Sequence, residues 1–290
     1  MVITLRALTA DDHAPLLALQ HGLGARPAWS SAWLAEQLTD VAREHGRNVV
    51  VAERDGRVVG CAGWVDGGEM FFGAPVLAPE REVAELLIDA VIARAAGAHH
   101  LRIGAAPYEP AKLAALAARG FAVALAFPTL GIASGPRAFR IPGDLRWVAP
   151  PAADPDALVV LHNEAFAHVD NSRPVDRDEA LAMVAHGWPE ASGVWLDDQG
   201  RAAAMVITVR DRDHGADRDH LMIDMIAVAG FAQRRGLARA IVDRTVDRAA
   251  TCGIPEVRAL IASTNAASLA LHRAAGFTEL WRRDMWQLTL

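Results

Sequence analysis

Lysine and tyrosine each occur once in the 290 residues, at Lys112 and Tyr108. Cysteine is scarce too: Cys61 and Cys252 lie far apart, each in an apolar segment. That excludes a disulfide framework and places the expected location in the cytoplasm. Long apolar runs are missing, so no membrane-spanning helix and no membrane partner are expected. The first residues, Met1 to Arg6, lack a basic segment ahead of an apolar one and read as a strand rather than a signal peptide. An excess of positive charge is also absent. The net charge is −6, which argues against generic nucleic-acid binding. With lysine so rare, the arginine richness reads as genome composition rather than heat adaptation.

What is present is enough apolar material for proper cores. Hydrophobic residues make up 52% of the chain, too many for a disordered one. The length suits one large or two medium domains. Taken in order, the pattern predicts a strand at 2–6, a helix after Thr9, a second helix at 31–43, and a hairpin turning at Asp55-Gly56. A strand at 69–77, a helix at 80–96, a short strand at 101–104 and a helix stopped by Gly120 follow. The Pro150-Pro151 region interrupts this order, which then begins again. A helix at 155–166 contains Asn163-Glu164-Ala165-Phe166. Another helix starts near Asp176, and a hairpin turns at 197–200. A strand at 220–228, a helix to Cys252, a strand at 256–262, a helix at 266–275 and a strand near 285–290 complete the chain. Gly120-Phe121 and Gly276-Phe277 close matching helices, and Asp55-Gly56-Arg57 matches Gln199-Gly200-Arg201. The chain therefore reads as two copies of one unit: 1–142, a linker at 143–155, and 156–290.

Between the strand ending at Val228 and the following helix stands Gln233-Arg234-Arg235-Gly236-Leu237-Ala238. The first amides of a helix lack partners and the helix dipole favours negative charge there, so a basic, Gly-containing first turn is an anion site. Gly236 lets a ligand approach the backbone without a Cβ in the way. The run is neither the Rossmann nor the Walker pattern.

This loop resembles the Arg/Gln-x-x-Gly-x-Gly/Ala pyrophosphate loop of the GNAT superfamily of acyl-CoA-dependent N-acyltransferases. The order of elements is similar over about 156–290 and more weakly over 1–142. The tandem layout, the Asn163–Phe166 run and the spacing from Asn265 to Gly276-Phe277 resemble the mycothiol synthase group. The resemblance implies an α/β (α+β) fold of tandem GNAT-like domains, each a mixed, splayed β-sheet flanked by helices. It implies acetyl-CoA as co-substrate without a metal, and a small-molecule or peptide amine as acceptor, attacking the thioester directly. Cofactor contacts are implied at Ile226, Ala227 and Val228 on the splayed strand, at the amides of Gln233 to Arg239 (Gln233, Arg234, Arg235, Gly236, Leu237, Ala238, Arg239), and at Asn265. Two fused copies also imply a monomer that stands in for a dimer.

Asp224 and His220 share strand parity with Met222 and are candidate bases; alternatively Asp224 pairs with an arginine and His220 begins the strand at the surface. His272 occupies the place where the family usually has a tyrosine that protonates the departing thiolate. Either its imidazole donates, or it is an ordinary helix residue and the thiolate takes its proton from water or the product amine. The first half has Glu80-Arg81-Glu82 where the loop would be, with no glycine and the wrong charge for an anion. It reads as a degenerate copy. Besides the general N-acetyltransferase, a mycothiol-synthase-like enzyme and a non-catalytic acyl-CoA-binding module remain open.

The charged run from Arg210 to His220 is a conceivable metal site, but its interleaved arginines favour ion pairs. The 168–174 segment, with Asp170, is a candidate acceptor wall or a capped turn. Trp281 and Trp286 read as core or pocket wall, and Cys252 as buried rather than nucleophilic.

Overall fold

The computed structural model describes residues 2–24, 31, 34–35, 47–67, 70–169, 173–211 and 219–290. The helix expected at 31–43 lies largely outside these, as do Asp170 and most of the loop between Arg210 and His220. The chain divides into two compact units that do not follow its order. One takes the chain up to Phe127 plus Arg282–Leu290, and the other takes Pro128 onward to Trp281.

In the first unit, β1 (Ile3–Ala7) is followed by α1 (His13–Gly22), β2 (Val49–Arg54), β3 (Arg57–Gly67) and β4 (Met70–Leu77). Then come α2 (Arg81–Arg94), β5 (His100–Ala105) and α3 (Pro110–Ala118). β1 to β4 are joined antiparallel in chain order, whereas β4 and β5 are parallel, as a helical crossover requires. Val83, Leu87 and Val91, spaced four apart on α2, are buried with Leu101 and Ile103 of β5.

The second unit contains β7 (Arg146–Val148), α4 (Pro155–Phe166), α5 (Arg177–His186), β8 (Gly193–Leu196), β9 (Ala202–Asp211) and β10 (His220–Val228). After these come α6 (Leu237–Thr251), β11 (Glu256–Leu260) and α7 (Ala266–Ala274). Asp154 caps α4 by accepting from Asp156 N, with Pro155 at the first helical position. Asp176 and Glu179 form a capping box at the start of α5. β7 lies inside the stretch expected as a linker: it pairs with β8 over Arg146–Val148, and the prolines just beyond it, which suggested a break, begin only at Pro150.

The expected boundaries at 142 and 156 differ from the units for a physical reason. Two strands change unit along their length. The second half of β6 (Ala122–Ala133) lies antiparallel to β11, with Thr129 opposite Leu260 and Ala133 opposite Glu256. The far end of β12 (Thr278–Thr289) lies antiparallel to β5, with Asp284 opposite Ala105 and Thr289 opposite His100. Each unit thus completes its sheet with a strand from the other half of the chain, an exchange that hydrophobic patterning does not reveal.

Candidate active site

The parallel pairing of β10 with β11 covers only His220–Ile223 against Glu256–Ala259. β10 then continues against β9 alone, from Met225 opposite Ile207 to Val228 opposite Ala204. The sheet is therefore open on one side of Met225–Val228, as the resemblance implies. Ala229 N donates to Ala203 O on the β9 side. Since main-chain groups alternate along a strand, those of Ile226 and Val228 face the opening and those of Ala227 face β9.

The register shifts between Ile223 and Met225, leaving Asp224 at a bulge. An extra residue breaks the two-residue alternation, so the expected common face of His220, Met222 and Asp224 does not extend to Asp224. His220 is buried, not at the surface, while Asp224 is exposed. Among the described residues Asp224 makes no hydrogen bond or ion pair, so no arginine neutralises it. Its pKa is raised because the surrounding protein displaces water, against a smaller opposing effect of His186 at the end of α5. A carboxylate open to a ligand and more basic than usual is suited to take up a proton.

Beyond β10, a short 3-10 turn at Gly230–Ala232 leads to Gln233. Arg234 has φ 60° and Gly236 φ 75°, so the chain reverses hand twice before α6. A Cβ on Gly236 would meet nothing within 4 Å, but its positive φ is one that side chains resist. The main-chain N–H groups of Arg234 to Arg239 have no hydrogen-bond partner among the described residues; the first helical bond is Ala240 N to Gly236 O. They form a row of free donors at a helix N-terminus.

The side chains of the loop have separate duties. Gln233 Nε2 donates to Val228 O at 3.1 Å, so one carbonyl facing the opening is already taken. Arg235 pairs with Asp144 at 2.5 Å. Arg239 binds Asp243 and donates to Ala274 O at the end of α7, where a cation meets the helix dipole favourably. Leu237 is buried in the core, and Ala238 presents no polar side chain. Arg234 is exposed and carries no ion pair among the described residues, so it is the arginine of this loop left to meet an anion. Asn265 caps α7 through Oδ1, which accepts from Ser268 N at 3.0 Å, and keeps its Nδ2 as a donor.

His272 is buried against Phe277, edge to face, with ring centroids 5.1 Å apart. Burial lowers its pKa, so the ring is neutral near pH 7. Nδ1 lies 2.9 Å from the Ser268 carbonyl, which can only accept. The single ring proton therefore sits on Nδ1. Nε2 is a bare acceptor, buried and without a hydrogen-bond partner among the described residues. In this tautomer Nε2 has no proton to give.

The matching gap in the first unit is filled from within. β4 and β5 pair over Met70–Gly73 and His100–Ile103, and β4 runs on to Leu77. Lys112 Nζ donates to Val76 O at 2.9 Å and binds Glu109 at 2.5 Å; Glu109 in turn accepts from Ala106 N at 2.8 Å. Where the loop would lie, Glu80 and Glu82 are held by Arg54. The rarity of lysine marks this residue in the sequence, but its partners Val76 and Glu109 are visible only in the fold.

Among the described residues no cluster of His, Cys, Asp and Glu could hold a metal. At the edge of the charged loop, Arg210 and Asp219 pair through two hydrogen bonds. Trp281 stacks on Arg258, and Trp286 packs against the core of the first unit.

The acetyltransferase (GNAT) family model matches residues 156–277. The L-methionine sulfoximine/L-methionine sulfone acetyltransferase of Salmonella typhimurium is 30% identical over 134 residues, covering 43% of this chain and 75% of that protein. The chain belongs to the GNAT acetyltransferase family. The mycothiol acetyltransferase of Beutenbergia cavernae is 30% identical over 130 residues, covering 43% of this chain; the match spans 42% of that protein's length. A GCN5-related N-acetyltransferase from Sphaerobacter thermophilus superposes with a TM-score of 0.75 at 16% identity, covering 99% of this chain and 95% of the other. A tandem GNAT protein from the clavulanic acid biosynthesis pathway gives 0.69 at 15% identity, covering 99% and 98%. At such identities the structures establish the tandem fold alone.

Proposed function

We propose that this GNAT protein transfers an acetyl group from acetyl-CoA to the amine of a small molecule or peptide, using the second unit alone. The free N–H row of Arg234–Arg239 beside the open edge of β10 carries this reading. Those amides and Arg234 would hold the pyrophosphate, the open groups of Ile226 and Val228 would bind the pantetheine arm as an added strand, and Asn265 Nδ2 would donate to it. The Ile226 or Val228 N–H would polarise the thioester carbonyl.

The Asp224 carboxylate takes the amine's proton as nitrogen bonds to the carbonyl carbon and the carbon–sulfur bond breaks. The sulfur leaves as a thiolate and is protonated by water, because His272 Nε2 carries no hydrogen. The first unit, closed by Lys112–Glu109 and acidic at its loop position, binds no acetyl-CoA. Calorimetry with acetyl-CoA should give one site per chain, abolished by Gly236→Glu. Absence of binding, two sites, or binding that survives Gly236→Glu sinks this reading.

Matches to the mycothiol and methionine sulfoximine acetyltransferases favour a small amino-bearing acceptor. A panel of cysteinyl and amino-acid amines, followed by mass spectrometry for the acetylated product, tests that and separates an enzyme from a mere acyl-CoA-binding module.

A further inference from the structure

Asn163 and Glu164 are neighbours in the last turn of α4, yet their side chains serve two different loops. Asn163 Oδ1 accepts from Val175 N at 2.8 Å, and its Nδ2 donates to Val175 O at 3.0 Å. One amide thus holds both main-chain groups of one residue in the loop leading into α5. His162, buried and 4.8 Å from the Phe166 ring, adds a bond to Asn163 Oδ1 at 3.0 Å and fixes it from behind. Glu164 Oε1 accepts from Gly230 N at 2.8 Å. Gly230 opens the turn that delivers Gln233 and the free amides. The approach is close, since a Cβ on Gly230 would lie 2.8 Å from that oxygen.

We infer that Asn163 and Glu164 are positioning residues forming a two-armed clamp. Through Glu164, α4 sets the height of the cofactor loop. Through Asn163 it sets the loop at Arg173–Val175 and so the entry to α5. The bonds run from side chains to main chain, so they fix backbone position whatever the loop sequences are. The Glu164 arm rests on the acetyl-CoA reading above; the Asn163 arm does not.

The test combines acetyl-CoA calorimetry with amide hydrogen exchange on the full chain. Glu164→Ala should weaken acetyl-CoA binding about fivefold and speed exchange of the Gly230 amide, with Val175 unchanged. Glu164→Gln keeps an acceptor oxygen and should stay within about twofold of the parent. Asn163→Leu should speed exchange at Val175 and leave acetyl-CoA affinity within about twofold. The clamp is overturned if Glu164→Ala binds like the parent, if Glu164→Gln loses as much as Glu164→Ala, or if Asn163→Leu acts on the cofactor and not on Val175. Should the parent not bind acetyl-CoA, the functional reading fails, while exchange at Gly230 and Val175 still decides the clamp.

Discussion

The proton on His272 Nδ1 is fixed by a main-chain carbonyl, and its position determines the chemistry open to this ring. Long-range nitrogen NMR should find Nε2 unprotonated at pH 7, with the ring titrating below its ordinary 6.5. His272→Phe should then keep kcat within about tenfold, since no donor is lost. A much larger loss, with acetyl-CoA binding intact, would restore the ring as an acid. Asp224 carries the opposite expectation. Its Asn variant should lower kcat by about 10²–10⁴ without weakening acetyl-CoA binding. Because its folded pKa is raised, the base is lost as pH falls through a value above the usual 3.8. The acid limb of kcat/KM should lie on that side and vanish in the variant. Replacement by Asn with little effect would remove Asp224 from the mechanism.

At the scale of elements, one turn and one buried pair are most exposed to test. Gly236→Ala puts a side chain on a left-handed residue and should cost about 1–2 kcal/mol while weakening acetyl-CoA binding. In the first unit, Lys112→Met leaves the Glu109 carboxylate buried without its cation. Urea unfolding should show a loss of about 3–5 kcal/mol, with much of it recovered in Glu109→Gln/Lys112→Met. Additive losses would mean that the two residues act independently. The sequence announces several elements through local chemistry, such as the Asp55-Gly56 turn, the loop glycine at 236 and the Gly-Phe closures at 120 and 276. It is silent on the bulge at Asp224, which arises only against β9, and on β7, whose three residues acquire meaning from β8. The ring tautomer of His272 depends on a carbonyl four residues back, and the closure by Lys112 on a strand 36 residues earlier. These are relations between segments, and no single window of residues contains them.

For the whole molecule, the exchanged strands mean that neither half of the chain can be cut free. A fragment 1–142 lacks the partner that β12 gives to β5, and a fragment 143–290 lacks the one that β6 gives to β11. Expressed alone, each should be insoluble or poorly structured by circular dichroism; expressed together, they should recover acetyl-CoA binding. A fragment 143–290 that folds and binds by itself would refute this. The same swap orders events in time on the ribosome. Gln287 follows Arg102 by 185 residues, so throughout synthesis β5 waits with an unpaired edge, the kind of surface on which nascent chains stick to one another. The first unit to be translated is therefore the last to be finished, and the yield of this protein in cells should depend on how well chaperones guard that edge until the final strand arrives.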